Sequence, residues 1–204
     1  MSLGKRKAAD HASLVLGLGL GLTLAVYVES MTSNDWNGVY PIITSFSRAC
    51  ALVGTYLALV GLVLVSRIAW VEKSVGHDRL VTWHRKLGPY SLFLIGFHVL
   101  FVTLGYAGND KVPMAVELWR LVTKFPWMLP AFVGFLFFMA AGISSYKKAR
   151  AKMSYETWWT IHLYTYLAVA LSFMHQILTG SMFIGHPLNK AYWISLYVAM
   201  ALAI

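Results

Sequence analysis

Residues 81–106 read VTWHRKLGPYSLFLIGFHVLFVTLGY, and no Asp, Glu, Lys or Arg occurs from Leu87 to Tyr106. About 20 mostly apolar residues suffice for a helix to cross the hydrocarbon of a bilayer. The stretch therefore reads as a membrane span, and it carries two histidines, His84 and His98.

The rest of the chain repeats this pattern. Apolar stretches at 12–29, 42–66, 127–146 and 156–180 are long enough to span, and a sixth begins near Ala191 and reaches Ile204 after about 14 residues, fewer than the usual span. The expected fold is all-α: a polytopic transmembrane helix bundle of six spans, the last cut short inside its helix. Residues 1–11 form an N-terminal segment and 12–204 the bundle. Composition agrees, because 58% of the 204 residues are hydrophobic and only 12% charged, too apolar for a water-soluble domain of this size.

The net charge of +9 does not signal nucleic acid, since the cations fall in short gaps between apolar runs and no nucleic-acid-binding motif accompanies them. Lys5, Arg6, Lys7, Arg67, Lys73, Arg79, Arg85, Lys86, Lys147, Lys148, Arg150 and Lys152 lie on one side, against Lys111, Arg120, Lys124 and Lys190 on the other. The positive-inside rule then puts the N-terminus in the cytoplasm and the protein in the cell membrane. The first stretch follows basic residues as a signal peptide would, but lacks a small-x-small cleavage site and reads as a retained span. Its GxxxG spacing, Gly17 to Gly21, suits helix packing, because no strand precedes it to make a dinucleotide loop. Cys50 is the sole cysteine, which excludes an internal disulfide, a Cys-x-x-Cys-His haem attachment and a cysteine-built metal cluster.

Four of the seven histidines fall in spans three and five. His84 and His98 are 14 residues apart and His162 and His175 are 13 apart, each about 20 Å along a helix axis. The two spans run the same way, so His84 lies at the depth of His162 near the cytoplasm and His98 at the depth of His175 near the outside. Ligating groups inside a membrane are costly and mark function. Two facing imidazoles fill both axial positions of a low-spin haem iron, and two pairs make an electron ladder of two non-covalent b-type haems.

Fourteen residues return to within about 40° of the starting face, whereas thirteen miss it by about 140°. The spacing therefore predicts a bend, tight turn or π-bulge between His162 and His175. Pro89 leaves two readings of span three: it begins near Pro89, with His84 in a loop, or it continues through Pro89 from an interfacial turn. His11, His77 and His186 have no partner at matching depth and read as interfacial or loop residues.

These motifs resemble the ferric-reductase-like transmembrane domain shared by ferric reductases, NADPH oxidases and bacterial relatives. The likeness rests on His84-x13-His98, Trp158-Trp-Thr-Ile-His162, Met174-His175-Gln-Ile-Leu-Thr-Gly180 and Ser47-Arg48-Ala49, and covers roughly residues 40–204. It implies electron flow from cytoplasmic NAD(P)H through FAD and two haems to an extracytoplasmic acceptor such as ferric iron or dioxygen. No segment here is free to fold as a flavin barrel or a Rossmann unit, so FAD and NAD(P)H are expected on a following domain or a cytoplasmic flavin reductase partner. The end at Ile204 inside a helix favours the following domain. An alternative is a haem subunit feeding a separate periplasmic reductase.

Arg48 is the clearest candidate for a propionate partner, because an unpaired guanidinium at its depth in span two is costly, and the resemblance places it beside the outer haem; an arginine snorkelling to the outer headgroups is the alternative. Arg79, Arg85 and Lys148 suit inner propionates or the ordinary positive-inside pattern equally. Gly96 suits either close approach of a haem plane or helix packing. Trp83, Trp158 and Trp159 read as interfacial anchors, and Phe93, Phe97, Phe101 and Tyr166 as packing. From a different class, the histidines would relay protons or metal ions in a transporter. Against that, every Asp and Glu lies at or beyond the span ends. A merely structural anchor would leave the matched depths unexplained.

Overall fold

The structure is a computed structural model describing residues 3–204, with side chains described from Lys7 onward apart from Ala8. Residues 1 and 2 of the expected cytoplasmic segment, and the side chains of Lys5 and Arg6 used for orientation, lie outside the described residues. The described chain is all-helical: α1 (Leu3–Glu29), a short 3-10 turn (Ser33–Trp36), α2 (Val39–Val65), α3 (Ala69–Val75), α4 (His77–Asp110), α5 (Met114–Lys124), α6 (Met128–Ser145), α7 (Lys147–Arg150), α8 (Tyr155–Thr179) and α9 (Pro187–Ala203).

Five helices are long and apolar enough to cross a membrane: Ala9–Glu29 of α1, α2, α4, α6 and α8. At 17 residues, α9 falls just short. Large apolar side chains such as Leu18, Leu22, Phe93, Leu100, Leu136 and Leu163 stand exposed along these helices. A water-soluble protein would bury so much apolar surface, whereas lipid solvates it.

The helix ends follow from local chemistry. Gly76, at φ 98°, supplies the left-handed turn from which α4 starts, and Asp78 in its first turn favours the positive end of the helix dipole. From there α4 runs unbroken through Pro89, so His84 sits in helix rather than in a loop. The Ser154 hydroxyl caps α8 by accepting from the Thr157 amide, and Pro187 occupies the first turn of α9, where its missing N–H costs nothing.

Two antiparallel hairpins make the body of the fold. In the first, α2 packs along α4, and three hydrogen bonds set the register. The Nδ1 atoms of His84 and His98 meet the carbonyls of Gly61 at 2.9 Å and Ser47 at 3.1 Å, and the Ser91 hydroxyl donates to the Gly54 carbonyl at 2.7 Å. Each step of seven residues up α4 is matched by seven down α2, the heptad interval at which two helices keep one face together. Close approach requires Gly54: a Cβ there would lie 2.9 Å from Ile95 Cγ1 and 3.0 Å from Leu94 Cβ.

In the second hairpin, α6 packs along α8, and a Cβ on Gly134 would fall 2.7 Å from the Ala168 carbonyl oxygen. Between the hairpins the packing is looser, and α4 and α8 barely meet. That seam holds the histidines.

α1 and α9 buttress the first hairpin. Tyr56 donates from its hydroxyl to the Leu16 carbonyl, and the Tyr192 and Thr23 hydroxyls both donate to the Gly19 carbonyl. The packing glycine of α1 is therefore Gly19, where a Cβ would strike the Tyr56 ring, and not Gly17 or Gly21 of the GxxxG pattern, which have open space around them. The pattern misleads because Gly19 lies on a different face of the helix from Gly17 and Gly21. Trp193 of α9 is fully buried, its indole donating to Gln176 Oε1, which also accepts from the Tyr197 hydroxyl.

Candidate functional site: two histidine pairs between the helix hairpins

The geometry of α4 does two things to its histidines. A carbonyl only accepts, so His84 and His98 must each donate from Nδ1–H, to Gly61 and Ser47 respectively. That fixes the tautomer and ring direction and leaves both Nε2 lone pairs free, the state a metal-ligating imidazole requires.

Across the seam, the His84 and His162 rings are 6.0 Å apart between centroids with planes at 79°. That separation is wide enough for one metal atom to be held between the two rings. His98 and His175 both line a mainly apolar cavity of about 260 Å³, bounded by α2, α4, α5, α6, α8, the connection Gly180 to Phe183 and Trp193 of α9. The His175 Nδ1 atom is buried with no hydrogen-bond partner. Leu118, Leu121 and Val122 form the contribution of α5.

α8 runs as continuous α-helix from Tyr155 to Thr179, without a non-helical turn or π-bulge between His162 and His175. A helix accommodates the 13-residue spacing when each imidazole sits about 70° to either side of the face shown to α4. Side-chain reach covers the remainder. His162 approaches from the flank of α6, where its Nδ1 is 3.3 Å from Ser145 Oγ.

Arg48 lines the same cavity as His98 and His175, but it is also tied down. Its Nη1 donates to Asp35 Oδ1 at 2.8 Å, while Asp35 Oδ2 accepts from the Thr32 amide and hydroxyl. Asp35 is buried. Burial pushes its carboxyl upward, but the Thr32 hydrogen bonds and the Arg48 charge outweigh that and hold it below the usual carboxylate range. The sequence reading missed Asp35 because it lies in a loop 13 residues before Arg48, with no periodicity linking them.

Trp158 is more than an interfacial anchor. It stacks on His162 with centroids 5.1 Å apart and planes at 23°, and its indole N–H donates to Ser145 Oγ at 3.0 Å. A Cβ on Gly96 would meet nothing within 4 Å, so this glycine does not serve helix packing. His186, read as a residue with no partner at matching depth, donates from Nδ1 to Glu29 Oε1 at 3.0 Å, tying the end of α1 to the start of α9. Among the described residues no three His, Cys, Asp or Glu side chains converge as a metal-ion cage. The membrane histidines come in twos.

Residues 50–173 match the family described as Ferric reductase like transmembrane component. This segment contains His84, His98 and His162 and ends two residues before His175. The chain is also 26% identical over 125 residues to the Protein-methionine-sulfoxide reductase heme-binding subunit MsrQ of Caulobacter vibrioides, covering 61% of this chain and 56% of that relative. The chain thus spans about half the length of the curated relative it matches. No solved structure matches it. A multi-pass helical architecture, and a family match over well over half of its length, together establish that the chain belongs to the ferric reductase like transmembrane component family.

Proposed function

We propose that this protein is a transmembrane electron conduit that holds two non-covalent b-type haems, one between His84 and His162 near the cytoplasm and one between His98 and His175 near the outer face. The observation that carries the reading is the pairing itself. Two imidazoles come from each hairpin, those of α4 have Nδ1 committed to carbonyls, and the seam between the hairpins is loosely packed. Iron in haem brings four nitrogens of its own and needs only two from the protein, which suits pairs where a bare metal ion would need a larger cluster. Haem supplies one-electron exchange between ferric and ferrous iron with both axial positions filled.

The residues then divide the work. His84 and His98 are held rigidly from α2. His175 has a buried ring nitrogen without a protein partner, the condition of a side chain whose surroundings are completed by a bound group. Arg48 offers a cation to a propionate from the rim of the outer cavity, and Asp35 keeps that cation from swinging into the headgroups. In this reading the bundle has six spans, with α9 as the sixth and the N-terminus in the cytoplasm.

Electrons enter from a cytoplasmic flavin or NAD(P)H-dependent donor and leave to an extracytoplasmic acceptor. The likeness to a reductase's haem-binding subunit favours delivery to a separate reductase protein outside the membrane over direct reduction of ferric iron or dioxygen. A proton or metal-ion transporter fits less well, since among the described residues no carboxylate joins a histidine pair to make a group of three. The test is the reduced-minus-oxidised optical spectrum of the purified protein with haem quantified per chain. Sharp b-type bands at two haems per chain support the conduit, and a colourless folded protein ends it.

A further inference from the structure

Ser145, the last residue of α6, has a hydroxyl in contact with three groups. It lies 2.7 Å from the Ala141 carbonyl, 3.0 Å from the Trp158 indole nitrogen and 3.3 Å from His162 Nδ1. A serine hydroxyl has one hydrogen to give and two lone pairs to receive with. The carbonyl can only accept, so the hydrogen goes to Ala141. The indole can only donate, so it takes one lone pair. The remaining lone pair faces His162, and Nδ1 must therefore carry the hydrogen. That leaves Nε2 of His162 free, on a ring 6.0 Å from that of His84 between centroids.

A second constraint acts on the same ring. Trp158 lies against the His162 imidazole, and the Arg150 guanidinium covers Trp158 from 4.9 Å. The ring plane is fixed by stacking, and the tautomer by the hydroxyl.

We propose that Ser145 is the positioning residue of the inner histidine pair, holding His162 through Nδ1 so that Nε2 is presented as a ligand, with Trp158 clamping the ring plane. This rests on the reading of His162 as an axial ligand. It gives α8 a second anchored imidazole in the way that Gly61 and Ser47 anchor those of α4, by a different chemistry: the carbonyls of a tightly packed neighbour serve α4, and a side-chain oxygen at a helix end serves α8. His175 has no such partner. The inner pair is thus anchored on both sides and the outer pair on one.

An Nδ1–H hydrogen bond makes imidazole a better electron donor and stabilises the ferric state, and outer-shell partners of this kind are worth about 10- to 100-fold in metal affinity. Purified full-length protein is compared with Ser145→Ala, Ser145→Thr and Ser144→Ala by redox titration of both haems. Ser144 is the control, as its hydroxyl bonds the same Ala141 carbonyl without touching His162. In Ser145→Ala one midpoint potential rises by about 59 mV, the equivalent of a tenfold preferential loss of ferric affinity. The other stays in place, Ser145→Thr returns the first to its original value, and Ser144→Ala moves neither. If Ser145→Ala sheds haem, Ser145→Cys, whose sulfur accepts hydrogen bonds only weakly, is titrated in its place.

Unmoved potentials with both haems retained would overturn the assignment of Ser145, as would equal movement of both haems or the same shift in Ser144→Ala. A wild-type protein without haem would instead remove the underlying reading of His162.

Discussion

Replacing Gly54 with alanine adds one methyl group to the α2–α4 interface that orients half of the membrane histidines. The new Cβ would lie 2.9 Å from Ile95 Cγ1, 3.0 Å from Leu94 Cβ and 3.2 Å from the Ile95 backbone nitrogen. Carbon atoms in contact prefer about 3.5–4.0 Å, and two of these three neighbours are backbone or Cβ atoms that no rotamer change can move. The helices must therefore part by about half an ångström or more. Overpacking of this kind costs about 1–3 kcal/mol.

Parting the helices also strains the Ser91 bond to the Gly54 carbonyl, now 2.7 Å, whose loss adds about 0.5–1.5 kcal/mol. The expected destabilisation is about 1.5–4.5 kcal/mol, read as a lower denaturant midpoint in detergent micelles. Haem retention should fall with it, because the Nδ1 bonds of His84 and His98 belong to the same register as the strained one. A Gly54→Ala protein within about 0.5 kcal/mol of wild type would refute the claim that the α2–α4 interface is closed by glycine.

Three further outcomes follow from the same structure. In α1, Gly19→Ala should destabilise by about 1–3 kcal/mol through collision with the Tyr56 ring, whereas Gly17→Ala, with nothing within 4 Å, should be neutral or slightly stabilising; thermal melts of the two separate Gly19 packing from the GxxxG pattern. Gln176→Ala should cost about 2–4 kcal/mol, since it strands the buried Trp193 indole and Tyr197 hydroxyl donors, and Gln176→Glu, which keeps an accepting oxygen, should recover part of the loss. Asp35 has a lowered carboxyl pKa, so its contribution is fully present above the unfolded value of about 3.9 and is lost as the pH falls through the lower folded value. Stability followed from pH 7 into acid should decline below about pH 4 in wild type, and Asp35→Asn should flatten that part of the profile.

The spans were legible because lipid imposes a crude and unambiguous demand, long charge-free stretches, and residues 87–106 meet it on inspection. The four histidines stood out for the same reason: a membrane makes each one costly. What escaped the sequence were contacts set by tertiary geometry. Asp35 reaches Arg48 out of a loop, and Ser145 meets His162 only because α6 and α8 fold into a hairpin. The 13-residue spacing suggested a break in α8, yet the helix runs on without one, because a pair of ligands needs only side-chain reach from two flanks. Helix ends were displaced too: α4 starts at His77 and ends at Asp110, and α1 is helical from Leu3, since polar terminal turns extend a helix beyond its apolar stretch.

The central claim is that paired histidines between the two hairpins hold two haems. Its most direct measurement is the haem content of the purified protein beside His98→Ala and His162→Ala. The account predicts two b-type haems per chain in wild type and a different single haem lost in each variant, the outer in His98→Ala and the inner in His162→Ala, told apart by midpoint potential. Two haems retained in either variant, or a folded wild-type protein with no haem, would contradict it.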